Sequence, residues 1–123
     1  MLTMTSQSNL KKKSNIKGKK YDQGKTDWSL LPWHEVEQVV RVLMFGAARY
    51  GRDDWKHFIH KPKNEERYFN AAIRHLVAWK NGQTNDQETN MHHLAHALCC
   101  IMFILWKENY VQKMCKSNQQ NST

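Results

Sequence analysis

The residues from Asp86 to Trp106 constrain this chain more than any others, because acids and histidines crowd the first half of the stretch and its second half is wholly apolar. If it is helical from about Thr89, the 100° step per residue puts His92, His96 and His93 at about 0°, 40° and 100°, all on one face. Glu88 then joins that column one turn before His92. A carboxylate and three imidazoles at the mouth of a buried helix are ligand types placed beside a dry wall, the setting that metal or phosphate chemistry requires. Residues 94–106 hold no charge and cover every direction of the helix with apolar side chains. Such a helix is central in its own bundle or shared with another subunit, and in so small a chain an oligomer is expected.

The rest of the chain reads as two further helices and an arm, giving an all-α fold: three main helices completed by oligomerisation, in one domain over residues 21–112. Proline at 32, acids Glu35 and Glu37, and an apolar stripe of Val36, Val39, Val40, Leu43, Met44 and Ala47 predict a helix ending at Gly51. Glu35 and Glu37 are alternatively metal ligands or, for Glu37 with Arg41, a surface ion pair. A second helix is expected from Asn64, as N-cap, to the Asn81-Gly82 stop, with Tyr68, Ala71, Ala72, His75 and Trp79 facing inward. Between them, the residues after Gly51 read as a loop up to 63, with exposed His57 and His60. Residues 21–32 alternate polar and aromatic residues without helical period and read as an extended arm. A disordered leader (1–20) and a tail fraying beyond Tyr110 (113–123) complete the outline.

Charge and cysteines narrow the function classes. The net charge of +8 is concentrated in residues 1–20, which carry six lysines and no acid, while the remainder has 13 Lys plus Arg against 11 Asp plus Glu. Nucleic-acid binding is therefore not expected of the folded part. Cys99, Cys100 and Cys115 make an odd count without metal or redox spacing, which favours a reducing cytoplasm. There is no apolar signal segment at the N-terminus. The longest apolar run, Ala97 to Trp106, is about half of the roughly 20 residues of a membrane span. A soluble cytoplasmic protein is expected.

Arg49, Tyr50, Arg52, Trp55 and Lys56 follow the first helix, and arginine beside aromatic rings can grip phosphate and stack on a base. The same residues can equally pin a loop by cation-π contacts. Lys25 in the arm is a further candidate for an anionic ligand.

Four blocks in order carry a family resemblance: Tyr-Asp-Gln-Gly-Lys-Thr-Asp-Trp-Ser-Leu-Leu-Pro (21–32), Val-Leu-Met-Phe-Gly-Ala-Ala-Arg-Tyr-Gly-Arg-Asp-Asp-Trp (42–55), Ala-Ala-Ile-Arg-His-Leu (71–76) and Asp-Gln-Glu-Thr-Asn-Met-His-His-Leu-Ala-His-Ala (86–97). The chain resembles the phage and prophage domain called the N-terminal domain of dATP/dGTP diphosphohydrolase, allied to the all-α MazG-like pyrophosphohydrolases. The resemblance implies hydrolysis of a purine deoxynucleoside triphosphate to monophosphate and pyrophosphate with Mg²⁺ or Mn²⁺, inside an infected or lysogenic bacterial host. It implies Lys25 and Arg74 as substrate-binding residues, Glu88 and His93 as catalytic, and His75, Asp86, His93 and His96 as metal ligands; Arg49, Tyr50 and Trp55 join the substrate-binding set from their own chemistry at the helix exit. MazG-like enzymes carry Glu-x-x-Glu and Glu-x-x-Asp on paired helices; this chain has neither. Its His93–His96 pair is softer and suits Mn²⁺ or a transition metal. The alternative from the same pocket is a non-catalytic phage protein that sequesters a nucleotide-derived immune signal.

Overall fold

The computed structural model describes residues 23–121, with side chains through 118. The described residues contain four helices and no strand: α1 (Trp33–Tyr50), α2 (Asp54–Phe58), α3 (Asn64–Lys80) and α4 (His93–Asn121). The chain divides into two units, residues 1–30 and 31–123. Of the first, residues 23–30 are described. They are not extended throughout, as the sequence suggested, but turn at Gly24 (φ +84°) and end in one 3₁₀ turn, Trp28–Leu30. The Asp27 carboxylate accepts the Ser29 N–H at 3.1 Å and holds that turn. The leader assigned to residues 1–20 lies outside the described residues.

In the second unit α4 is the hub, and α1, α2 and α3 pack on it. Antiparallel α3 meets it through the Glu65–Lys107 ion pair at one end and the His75–His93 contact at the other. The buried core is small: Val39 and Val42 of α1 close on Ala95 and Cys99 of α4, with Leu43, Met91 and Phe103 around them. The expected α1 stripe is half right, since Val36, Val39 and Leu43 turn inward while Val40 and Met44 lie exposed. α4 supplies small residues at the crossing (Ala95, Ala97, Cys99), which lets the neighbouring backbones approach closely.

Three boundaries differ from the sequence reading. The expected loop after Gly51 contains the one-and-a-half-turn helix α2, whose Ile59 end is wholly buried. Asn64 is not an N-cap: Lys63 caps α3 in the left-handed region (φ 68°), and Asn64 is buried and donates its side-chain amide to Phe58 O at 2.7 Å. The third helix begins at His93 rather than Thr89, and it continues to Asn121 instead of fraying after Tyr110. Residues 107–121 are rich in Lys, Gln, Met and Glu, straight-chain residues that lose little rotamer freedom in a helix. By length and composition α4 is apolar enough to cross a membrane, with mean hydropathy 1.2 over its most apolar stretch. The Ala97–Trp106 run alone had suggested half a span.

Candidate functional site

The late start of α4 comes from residue 86. The Asp86 carboxylate accepts the Glu88 and Thr89 N–H groups at 3.1 and 3.0 Å and the Thr89 hydroxyl at 3.2 Å. Local side-chain bonds of this kind satisfy the backbone without a helix. Asn90 then takes a left-handed conformation (φ 58°), which Asn tolerates better than most residues, and the chain turns back. Asp86 N–H donates to Met91 O at 2.8 Å and His93 N–H to Thr84 O at 2.9 Å, and Asn85 bridges His92. The His92 ring precedes α4 and its Nδ1 accepts the Leu94 N–H at 3.0 Å, so His92 caps the helix. Glu88 is therefore on a loop, not in a helical column with the histidines.

This loop delivers Asp86 to two imidazoles. One ligand-type atom from each of His75, Asp86 and His93 lies within 4.8 Å of the others. His75 Nδ1 and His93 Nδ1 are 2.9 Å apart. Two ligand nitrogens about 2.1 Å from one ion at a right angle would stand about 3.0 Å apart, so the pair already has ligand spacing. His93 is buried and its Nε2 has no hydrogen-bond partner, a burial that costs stability. The donors, two nitrogens and a carboxylate oxygen, fit Mn²⁺ or a transition metal better than Mg²⁺.

His96 lies outside this three-residue cluster, contrary to its pairing with His93 in the sequence reading. It stacks on His75 at 4.7 Å, and its Nε2 is 2.7 Å from Thr89 Oγ1. Burial pushes the Asp86 carboxyl up, but the Thr89 bonds together with His96 and His75 outweigh it and hold Asp86 below its ordinary value. The ionised Asp86 only accepts, so the Thr89 hydroxyl donates to it and accepts from His96 Nε2–H. Burial also lowers His96, and burial with the neighbouring His96 lowers His75 to about 4, so both rings are neutral near pH 7. Neutral imidazoles are the form that binds a metal.

Beside the cluster runs a solvent-open groove of about 1590 Å³. Arg49, Tyr50, Trp55, Arg74, His75, Asp86, Glu88 and His96 all line it, so the basic-aromatic exit of α1 and the acid-histidine loop share one cavity. Arg49 reaches across to Glu88 in a 2.7 Å ion pair that is largely exposed on both sides. That bond raises the Arg49 pKa above its ordinary value. Trp55 is held by stacking on Phe103 at 4.3 Å and by an edge contact with Trp106 at 5.1 Å. Lys56 sits over both indoles. His60, exposed as expected, packs against the Tyr110 ring at 4.7 Å. Lys25 belongs to the first unit, at the bend after Gly24. Glu35 and Glu37 are exposed on α1, and Glu37 pairs with Arg41 at 3.1 Å, the surface alternative.

The sequence reading missed Thr89, Phe103 and Trp106. Thr89 was visible only as the expected start of the helix, and the two rings as apolar filler of α4. No local signal marks them, because the Trp55 ring that Phe103 and Trp106 hold comes from a distant helix, and Thr89 is placed by a turn that only the fold closes.

Comparison with known proteins identifies the family. Residues 15–117 match the family described as dATP/dGTP diphosphohydrolase, N-terminal. A dATP/dGTP diphosphohydrolase of Salmonella phage PMBT28 is 39% identical over 92 residues, which cover 75% of this chain and 30% of that protein. The chain thus spans about a third of the length of the relative it matches. No solved structure matches it. Matched along most of its length, site loop included, the chain belongs to the dATP/dGTP diphosphohydrolase N-terminal family.

Proposed function

We propose that this chain hydrolyses a purine deoxynucleoside triphosphate to the monophosphate and pyrophosphate, in the cytoplasm of a bacterial host, as a homo-oligomer. The observation that carries the reading is the convergence of His75, Asp86 and His93 within 4.8 Å beside a groove that also presents Arg49, Arg74 and an aromatic wall. The named activity of the phage relative supplies the substrate class.

His75, Asp86 and His93 would hold a divalent cation, Mn²⁺ before Mg²⁺, with His96 stacked behind His75 to fix its ring. Such an ion supplies Lewis acidity toward phosphoryl oxygens and a bound water of lowered pKa. The chain's own residues do the remainder. Arg74, which has no acidic partner among the described residues, meets the phosphates as they enter. Arg49 exchanges Glu88 for a phosphate, a stronger multidentate partner in a groove that excludes part of the solvent. Release frees the Glu88 carboxylate to accept a proton from the attacking water while the α–β phosphoanhydride bond breaks and pyrophosphate leaves. Thr89 keeps Asp86 ionised and aimed, and Trp55, backed by Phe103, and Tyr50 offer ring faces to the base.

The test is to incubate the full chain with a panel of ribo- and deoxynucleoside triphosphates in Mg²⁺ or Mn²⁺, then analyse the solution and the nucleotide released on denaturing the protein. Monophosphate and pyrophosphate in equal amounts, over many turnovers, are expected for dATP or dGTP. Intact nucleotide recovered in proportion to protein would refute hydrolysis and leave a sequestering module.

A further inference from the structure

α4 has three stripes, and protein covers two of them. His93, Ala97, Cys100 and Lys107 face α3, while Ala95, Cys99, Phe103 and Trp106 face α1 and α2. The third, Leu98, Ile101 and Leu105, lies about 120° from both and is exposed. On α3, Glu65, Tyr68, Ala72 and His75 turn toward α4, and Phe69, Ile73 and Val77 point away from it. Both outer stripes are displaced in the same rotational sense from the α3–α4 contact. Because the helices are right-handed and antiparallel, the stripes fall on one side of the pair, with Phe69 level with Ile101. These six side chains are between 43 and 58% exposed. A monomer rarely presents such a continuous apolar face to water.

The outer stripe of α3 reads Glu66, Phe69, Ile73, Val77, Lys80, with spacings of 3, 4, 4 and 3 residues. It is symmetric about Ile73 in position and complementary in charge. Turned end for end, Ile73 meets Ile73, Phe69 meets Val77, and Glu66 meets Lys80. Neither Glu66 nor Lys80 has an ion-pair partner among the described residues. An isologous interface needs this self-matching of one patch.

We propose that the outer face of α3, flanked by the Leu98, Ile101 and Leu105 stripe of α4, docks a second copy of this chain about a two-fold axis at Ile73. Two helices from each copy then form a four-helix layer, which explains an uncharged 94–106 half of α4 in a chain with so few helices. The six side chains with their charged flanks present on the order of 700 Å² per copy, near the roughly 800 Å² per partner of a standard specific interface. Of the six side chains only Leu105 also lines the site groove, so the interface borders the groove at that residue and leaves Arg49, Arg74, His75, Asp86 and Glu88 outside it.

The test is the mass of the full chain in solution by light scattering after size exclusion, at micromolar concentrations. The wild type should run at twice 14.6 kDa. Ile73→Glu should weaken association at least about 100-fold with unchanged helical content, because two carboxylates then face each other at the axis. Glu66→Lys and Lys80→Glu should each weaken it about tenfold, the axis doubling each repulsive pair, and the double reversal should return it to within about threefold of wild type. A monomeric wild type, a dimer indifferent to Ile73→Glu, or reversals that fail to rescue each other would each overturn the proposal.

Discussion

Replacing His93 by Leu separates a metal ligand from a core residue. The ring is 6% exposed and its Nε2 is sealed without a partner. An unsatisfied buried polar group costs about 1–3 kcal/mol, and the His75–His93 hydrogen bond that Leu removes returns about 0.5–1.5 kcal/mol. In EDTA the variant should therefore match the wild type or exceed it by about 1 kcal/mol. With Mn²⁺ at 100 times its dissociation constant the order reverses, because the wild type gains about 2.7 kcal/mol and the variant nothing. For a domain of this size that is a rise of roughly 10 °C in melting temperature. The assay is thermal unfolding with EDTA and across a Mn²⁺ series, at one protein concentration because association also shifts the midpoint. A variant that is 2–3 kcal/mol less stable in EDTA would show that His93 serves the core. A Mn²⁺ shift that survives the substitution would show that the ion binds elsewhere.

Other consequences follow from single features. Ile59→Ala, at a wholly buried position under the α2–α3 joint, should lower stability by about 2–5 kcal/mol in urea unfolding, and a loss below 1 would show that the joint is loosely packed. Burial pushes the Cys99 and Cys100 thiols up to about 12 and 11, whereas Cys115 is exposed, so a disulfide reagent at pH 8 should titrate one thiol in the native protein and three after denaturation. The folded pKa of His75, about 4, lies below its ordinary 6.5. Metal-free stability should thus be full above pH 6.5 and fall between pH 6.5 and 4, as the unfolded chain takes the proton first, by at most about 3 kcal/mol. His75→Gln should flatten that window in a denaturant series, and an unchanged slope would move the titration to another group. Arg74→Ala should raise KM for the triphosphate about tenfold with a smaller change in kcat, and an unchanged KM would remove Arg74 from the phosphate path.

Part of this protein was legible from residue order alone. Apolar spacing marked α1 and α3 to within a residue or two, because 3.6-residue periodicity, the Gly51 stop and the Asn81-Gly82 stop are properties of adjacent residues. The absence of charge between 94 and 106 marked α4 as the element the others pack against. Four motif blocks carried the family, and the groove gathers most of the polar and aromatic residues they single out.

Tertiary structure decided the register and the partners. Helix periodicity carried back to Thr89 would align Glu88 with His92, but the Asp86 side chain captures the Glu88 and Thr89 amides, and α4 starts four residues later. That shift turns His92 into a cap and sends His93 to His75, 18 residues away, rather than to His96. Phe103 and Trp106 became a wall for Trp55 only once α2 had folded against α4. Periodicity reports which face of a helix is apolar. Which neighbour that face meets, and which polar atoms converge at its end, is set by loops whose conformation rests on a few side-chain bonds that sequence spacing does not encode.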